Sequence, residues 1–587
     1  LLKINKIIRK KIRAFRLLLV VIPYYIGHEQ TQKMQTPSNH RRTIMSNAYF
    51  KVPEPLNEPI YDYAPGTPER KALKDKLAEL QSKEIEVPLI IGGKEIFTGK
   101  TGEMRAPHNH KLKLGVFHKA GPKEVQMAID AALEARKQWA EMPWEHRVSI
   151  FLKAAELLSG PWRYTLNAAT MLGQSKTAYQ SEIDAVAELA DFWRFNTYYM
   201  AQLMGEQPYS PKGFWNRMEY RPLEGFIFAV TPFNFTSIAG NLPTAPAIVG
   251  NVVLWKPASS AVYSAYFIMQ LLKEAGLPDG VINFIPGTGS QVGNPVLESE
   301  HLAGIHFTGS TNTFQAMWRK VGENIHKMKY YPRIVGETGG KDFIFVHNSA
   351  KVKPLVVAAI RGAFEYQGQK CSAASRMYIP ESLWPEFKEL YVKEVKKIRM
   401  GEPDDFRNFM TAVIDRGAFE SIVSYIEYAK KSDEAEIITG GKYDDSKGFF
   451  IEPTTIVTTN PHFKTMEEEI FGPVLTIYVY KDEQFEETLD LCDNTSPYGL
   501  TGAIWAQDRE ALRIMSDPLR QAAGNFYIND KPTAAVVGQQ PFGGSRASGT
   551  NDKAGSALNM LRWMSVRSIK ETMVPPEDWT YPFMKEK

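Results

Sequence analysis

With 587 residues, 43% hydrophobic and 12% aromatic, the chain has the length for several domains and the composition of a globular enzyme. Its net charge of +4 is uneven: residues 1–44 hold ten Lys or Arg against one acid, Glu29, and carry +9, so the rest carries −5 and offers no basic stripe for nucleic acid. Two cysteines, Cys371 and Cys492, exclude a disulfide framework, and no Cys/His group has zinc-ligand spacing, so no metal is expected.

Residues 1–44 admit two readings. Seven Lys and Arg from Lys3 to Arg16 precede the apolar run 17–22, with no acid before Glu29. That is the composition of a mitochondrial transit peptide and would place the body in the matrix. The apolar run is too short for a membrane span, so no membrane insertion is expected. Alternatively the segment is translated upstream sequence or a piece of a longer leader, because the chain begins with Leu1 and Met45-Ser46-Asn47 opens the part that reads as folded.

Thr67 as a cap, Pro68 in the first turn and periodic Leu and Ala predict a helix over 67–80. Residues 87–91, a Gly-Gly turn and 95–97 predict a hairpin. Long helices follow at 122–139, 146–158 and 181–204, with apolar residues at three and four spacing. Residues 207–222, turn-like and then extended, read as an arm. From Gly225 short apolar strands (225–230, 251–255, 281–285, 304–307) alternate with helices, and a second such series runs over 343–479. Near-continuously apolar strands separated by helices predict an α/β fold with a parallel, doubly wound sheet. Cys492 falls on a helical pattern and reads as structural, and 561–569 alternate like an edge strand.

The reactive candidates lie in two glycine-rich turns. Gly336-Glu337-Thr338-Gly339-Gly340 carries a carboxylate able to activate water, and Gly368-Gln369-Lys370-Cys371-Ser372 carries a thiol able to act as nucleophile. A nucleophilic thiol needs a positive or dipolar setting, and Lys370 adjoins it in sequence. On its own, Cys371 reads equally as a small buried hydrophobe. Asn234, in a turn after an apolar strand, offers an amide to a developing oxyanion, or simply turns the chain. The turn Thr308-Gly309-Ser310 runs into a helix whose first N–H groups suit a pyrophosphate. Lys256 ends a strand where parallel sheets bind ligands. Glu469, in Glu469-Ile470-Phe471-Gly472-Pro473, offers an acceptor for ribose hydroxyls beside an aromatic ring. Each of the last three has an ordinary structural reading in isolation.

Taken in order, these stretches resemble the aldehyde dehydrogenase superfamily from about Asn47 to the C-terminus: an Asn after a Pro-Phe turn, a Lys-Pro strand end, Phe-Thr-Gly-Ser, Glu-x-Gly-Gly and Gly-Gln-x-Cys. The stretches 236–257, 363–373 and 538–552 are similar to its glutamate-semialdehyde-oxidising branch, in the monofunctional form. The resemblance implies a Rossmann-like cofactor domain, an α/β catalytic domain and a small β arm that pairs in a homodimer or higher homo-oligomer. It implies oxidation of L-glutamate 5-semialdehyde, formed from Δ1-pyrroline-5-carboxylate, to L-glutamate in proline degradation, through a thiohemiacetal and a thioester on Cys371, with Glu337 as base and Asn234 at the oxyanion. NAD is the implied cofactor, held by Lys256, Ser259, Gly309, Ser310, Glu469 and Phe471. Ser259 stands where strict NAD enzymes often have an acid, so NADP is compatible.

Substrate residues implied by the resemblance are Ser372 after the nucleophile, Phe235 and Phe542 flanking the aliphatic chain, and Ala534 and Ala535 in the carboxylate-anchoring loop. Many relatives have Gly-Ser at those two positions; backbone N–H groups remain here, a hydroxyl does not. The implied division is a leader over 1–44, a cofactor domain over 45–335 interrupted by the arm 207–222, a thiol domain over 336–530, and a C-terminal segment over 531–587. Two alternatives keep the same residues: a dehydrogenase for another ω-substituted semialdehyde, and an inactive scaffold.

Overall fold

The computed structural model describes residues 48–585; the leader expected in 1–44 lies outside them. From Phe50 onward the chain is one unit built on two seven-stranded sheets. In spatial order the first sheet runs Arg333–Glu337, Leu302–Thr308, Phe226–Val230, Val252–Lys256, Ile282–Phe284, Leu89–Ile91, Lys94–Ile96. Its first five strands are parallel; Leu89–Ile91 from the N-terminal part pairs antiparallel with Ile282–Phe284, and Lys94–Ile96 at the edge pairs antiparallel with Leu89–Ile91. The second sheet runs Ala435–Thr439, Thr454–Thr458, Val474–Tyr480, Ala374–Pro380, Asp342–Val346, Thr501–Trp505, Asn525–Ile528, parallel except at its first pair. Both are the doubly wound sheets that the apolar strands predict. Strands such as Phe226–Val230 are buried along nearly their whole length because helices cover both faces.

Local signals set several boundaries. Thr67 Oγ1 accepts from the Arg70 N–H at 3.3 Å and starts the helix Pro68–Gln81. The helix Pro122–Trp139 has the predicted bounds, its Glu124 carboxylate accepting from the Gly121 N–H at 2.9 Å. The predicted hairpin differs. Pro88, with no N–H to donate, splits it: Ile85–Val87 pairs with Asn109–His118 in a three-stranded sheet, while Leu89–Ile91 and Lys94–Ile96 make the hairpin.

The helix expected over 181–204 is three pieces, Ala178–Ser181, a π-helical turn Glu182–Ala187, and Glu188–Gly205. The edge strand expected from residue 561 begins later. Ala557–Arg562 is helical, burying Met560, and the strand is Met564–Thr572. That strand pairs antiparallel along its full length with Phe214–Pro222, forming a two-stranded ribbon on which Trp215 and Val566 are exposed. At its base the chain is anchored to the first sheet: Asn251 Nδ2 donates to the Trp563 carbonyl at 2.9 Å, and the Trp563 ring lies 4.6 Å from that of His306. Among the described residues no helix is long and apolar enough to cross a membrane.

Candidate active site

Cys371 sits between the helix Val352–Phe364 and the strand Ala374–Pro380, after three successive left-handed residues: Tyr366 (φ 51°), Gln367 (φ 54°) and Gly368 (φ 66°). For Tyr366 and Gln367 that conformation costs on the order of 1–3 kcal/mol each, and side-chain bonds hold it. The Tyr366 hydroxyl donates to the Gln174 carbonyl at 3.0 Å, and Gln367 Nε2 donates to the Ala412 carbonyl at 2.8 Å. Gln367 Oε1 accepts from the Thr411 N–H at 3.0 Å. Gly368 is required twice over, since a Cβ there would also lie 2.1 Å from the Gly472 carbonyl oxygen.

Asn234 lies in the loop that leaves the carboxyl end of Phe226–Val230, and is buried. Its Nδ2 donates to the Gln369 carbonyl at 3.1 Å, two residues before Cys371, which leaves its second N–H for a ligand.

Burial pushes the Cys371 thiol well above its ordinary range, and the carboxyls of Asp342, Glu337 and Glu469 push it further. The resting group is therefore a neutral thiol. Lys370 does not offset this by hydrogen bonding to the sulfur; its ammonium turns to Glu365, 3.4 Å from Oε2. Burial likewise raises Glu337, with the Gly544 N–H, 3.4 Å from its Oε2, and Lys553 opposing. A carboxylate made reluctant to ionise is a stronger base once it has done so.

One cavity, of about 210 Å³, is lined by Cys371, Ser372, Phe235, Phe542, Ala534 and Ala535, so the predicted nucleophile and all five predicted substrate positions meet there. Ser372 Oγ donates to Thr533 Oγ1 at 3.0 Å, joining the nucleophile turn to the 533–537 loop. Sequence reasoning missed the charged groups around it. Asp184 and Glu188 line the cavity, with Asp184 paired to buried Lys176, whose ammonium lies 4.5 Å from the Phe235 ring centre and 4.1 Å from that of Tyr366. Burial, then Asp184, pushes Glu188 up to about 7. These acids share a helical pattern with apolar neighbours, and nothing local distinguishes them from a solvated face.

On the other side, Glu469 Oε1 accepts from the Gly340 N–H at 3.0 Å, and burial raises its carboxyl to about 7. Ser310 caps the helix Thr311–Asn324, accepting from the Thr313 N–H at 3.4 Å. Ser310 and Glu469 line one cavity of about 770 Å³; Lys256, Gly309 and Phe471 stand outside its lining, and Ser259 lines a different one. For Lys256 the physical reason is strand order. Lys256 and Thr308 end strands separated by Phe226–Val230, two spacings or about 10 Å apart along the same carboxyl edge. An extended dinucleotide fits such a spread. Lys256 also suits it: burial lowers its ammonium to about 8, and its single acceptor among the described residues, the Pro257 carbonyl at 3.2 Å, leaves donors free. Phe471 is left-handed (φ 56°), with its ring 5.8 Å from that of Phe233.

A family model described as the aldehyde dehydrogenase family matches residues 97–569. The chain is 53% identical over 550 residues to the mitochondrial delta-1-pyrroline-5-carboxylate dehydrogenase of Dictyostelium discoideum, covering 93% of this chain and 99% of that one. Identity to the human mitochondrial protein of that name is 49% over 530 residues, 90% of this chain and 94% of the other. Among solved structures, the delta-pyrroline-5-carboxylate dehydrogenase of Mycobacterium tuberculosis bound with NAD superposes with a TM-score of 0.89 at 51% identity, over 92% of this chain and 100% of that one.

Proposed function

The chain belongs to the aldehyde dehydrogenase family, and on that premise we propose that it oxidises L-glutamate 5-semialdehyde, the open-chain form of Δ1-pyrroline-5-carboxylate, to L-glutamate in proline degradation. The oxidant is NAD. Aldehyde, water and NAD become carboxylate, NADH and two protons.

The observation that supports this most is the cavity in which Cys371 and Ser372 face Phe235, Phe542 and the Ala534-Ala535 backbone. Cys371 is the nucleophile. Its proton must leave before attack, because burial and three carboxyls keep the thiol neutral, and Glu337 is the base that takes it. Sγ then bonds to the aldehyde carbon, and the oxyanion of the thiohemiacetal accepts from the free Asn234 N–H and the Cys371 backbone N–H. Bound NAD supplies the two-electron acceptor and a positive ring. Glu337 then passes the thiol proton to solvent and, ionised again, takes a proton from the water that attacks the thioester; the carbon–sulfur bond breaks, the thiolate is released and L-glutamate leaves. Phe235 and Phe542 flank the aliphatic chain, while Ser372 and the N–H groups at Ala534 and Ala535 receive the far carboxylate. Lys256, Ser259, Gly309, Ser310, Glu469 and Phe471 hold the cofactor along the sheet edge.

The same reading makes 45–335 the cofactor domain with its arm at 207–222, 336–530 the thiol domain and 531–587 the segment that completes site and arm. The exposed ribbon Phe214–Pro222 with Met564–Thr572 supports pairing with a second copy in a homodimer or larger homo-oligomer. Relatives named as mitochondrial support a matrix location for the enzyme.

The test is NADH formation by the full chain with pyrroline-5-carboxylate and with propanal, against Cys371→Ser. Strong preference for pyrroline-5-carboxylate, abolished in the variant, is the expected result. Equal or better turnover of propanal would replace the substrate reading; turnover of neither by NAD-binding protein would make the chain an inactive scaffold.

A further inference from the structure

The thiol cavity adjoins a second one, of about 250 Å³, partly lined by Arg70 and Phe406; Tyr179, Gln180, Arg361 and Glu365 belong to both. The charged side chains of the thiol cavity are almost all spoken for. Lys370 and Lys531 lie 3.4 and 3.9 Å from Glu365, Asp184 pairs with Lys176, and Glu188 accepts from Ser237 Oγ at 2.5 Å. Arg361 is exposed in the last turn of the helix Val352–Phe364, and its guanidinium has neither hydrogen bond nor ion pair among the described residues. Gln180, which also lines both cavities, is 4% exposed, and its buried Oε1 has no hydrogen-bond partner among the described residues.

An unpaired guanidinium and an unsatisfied amide oxygen on one wall are complementary to the two charged groups of an amino acid. A guanidinium fork matches a carboxylate. A buried acceptor left without a donor costs on the order of 1–3 kcal/mol, which an ammonium N–H would relieve. We propose that the wall formed by Arg361 and Gln180 is a capture site for the amino-acid end of the substrate, Arg361 taking the carboxylate and Gln180 Oε1 the ammonium, before the aldehyde end reaches Cys371. This rests on the reading that the substrate is an ω-aldehyde of an amino acid. The site touches no reacting atom, so it acts on capture and not on the chemical step. A cation at the mouth of a low-dielectric cleft raises the encounter rate of an anion in a salt-dependent way.

The experiment uses the full chain with NAD, as wild type, Arg361→Gln and Gln180→Leu. Calorimetric titrations with L-glutamate and with glutarate, which lacks the ammonium, are set beside kcat/KM for pyrroline-5-carboxylate and propanal at low and high salt. Arg361→Gln is expected to weaken both ligands roughly fivefold, as for a partly exposed ion pair. It should lower kcat/KM for pyrroline-5-carboxylate by a similar factor with kcat retained, flatten its salt dependence and leave propanal unchanged. Gln180→Leu should weaken L-glutamate and spare glutarate. Unchanged glutarate binding in Arg361→Gln, no glutarate binding by the wild type, or equal losses with propanal overturns the capture site. A wild type that binds glutarate yet does not oxidise pyrroline-5-carboxylate overturns the functional reading instead, and the glutarate comparison still decides Arg361.

Discussion

Replacing Gly339 by alanine probes how the cofactor side is held. A Cβ at that position would lie 2.7 Å from the Glu469 carboxyl carbon and 2.4 Å from Oε2. Carbon atoms rest at about 3.5 Å or more, so the carboxyl must retreat by roughly 0.8 Å. That retreat stretches the bond from the Gly340 N–H, now 3.0 Å, past hydrogen-bonding range. If Glu469 accepts from a cofactor ribose, its displacement removes a hydrogen bond to a charged group, worth about 1.5–3 kcal/mol, or roughly a 10- to 150-fold loss of NAD affinity.

The backbone itself tolerates alanine, because Gly339 is not among the left-handed glycines, so the fold should persist. NAD titration by intrinsic fluorescence gives the affinity, and the cycle with Glu469→Ala isolates the cause. In the Glu469→Ala background the second substitution should cost less than about 0.5 kcal/mol, because the group it displaces is gone. Unchanged NAD affinity in Gly339→Ala, or the same loss in both backgrounds, would refute the reasoning.

Two further outcomes follow from the buried acids. Glu337→Gln keeps the shape but removes the proposed base for both thiol deprotonation and thioester hydrolysis, so rapid mixing should show no burst of NADH and steady turnover slowed by about 10²–10⁴. Because burial raises Glu337, wild-type kcat should climb with pH as that carboxyl ionises, and the variant should lack the limb. Asp342, whose Oδ1 accepts from the Thr501 N–H at 2.7 Å, is pushed up to about 8 by burial, from an ordinary 3.8. The folded state therefore keeps a proton that the unfolded chain releases. Its stabilising contribution is complete below about pH 4 and is lost as pH rises toward 8. Between pH 5 and pH 8 the urea midpoint of Asp342→Asn should fall less than that of the wild type; parallel falls would contradict the assignment.

The layer architecture was legible because apolar strands of a parallel sheet announce themselves, and because Pro68 and Glu124 mark helix starts locally. The candidate reactive residues were legible as candidates: Cys371, Glu337 and Asn234 stand in turns that glycine or proline punctuates. What was not legible depended on partners far away in sequence. The helix expected over 181–204 opens into a π-turn at Glu182, a fully buried carboxylate. It accepts from Arg163 Nε and the Tyr61 N–H, both at 3.0 Å, from the Tyr63 hydroxyl at 2.6 Å and from Asn167 Nδ2 at 2.6 Å. No spacing rule shows an acid with four such donors, since they come from 61–63, 163 and 167. The same holds for Lys370, whose nearness to Cys371 in sequence says nothing of Glu365. The split at Pro88 was a local signal, and weighing its missing N–H would have separated Val87 from Leu89.

The motif glycines act together rather than one at a time. Gly368 brings the Cys371 turn against the Gly472 carbonyl, Gly340 brings the Glu337 turn against the Cys371 carbonyl, and Gly339 brings it against the Glu469 carboxyl; a Cβ at any of these would lie 2.1 to 2.4 Å from the named oxygen. Two of these contacts, Gly368 with Gly472 and Gly340 with Cys371, are backbone against backbone, and the third sets backbone against the Glu469 side chain, so the turns carrying the thiol, the candidate base and the candidate ribose acceptor meet pairwise. The two backbone contacts have no rotamers to relax, so a displacement of one turn is passed to the next almost undiminished. It follows that a substitution at Gly368, far in sequence from Glu469, disturbs the cofactor side as well as the thiol. It also follows that Tyr366 and Gln367 are held in the left-handed region because the chain must enter this junction at one angle. Strain kept by hydrogen bonds to Gln174, Thr411 and Ala412 is how this buried turn delivers Cys371 to a fixed place.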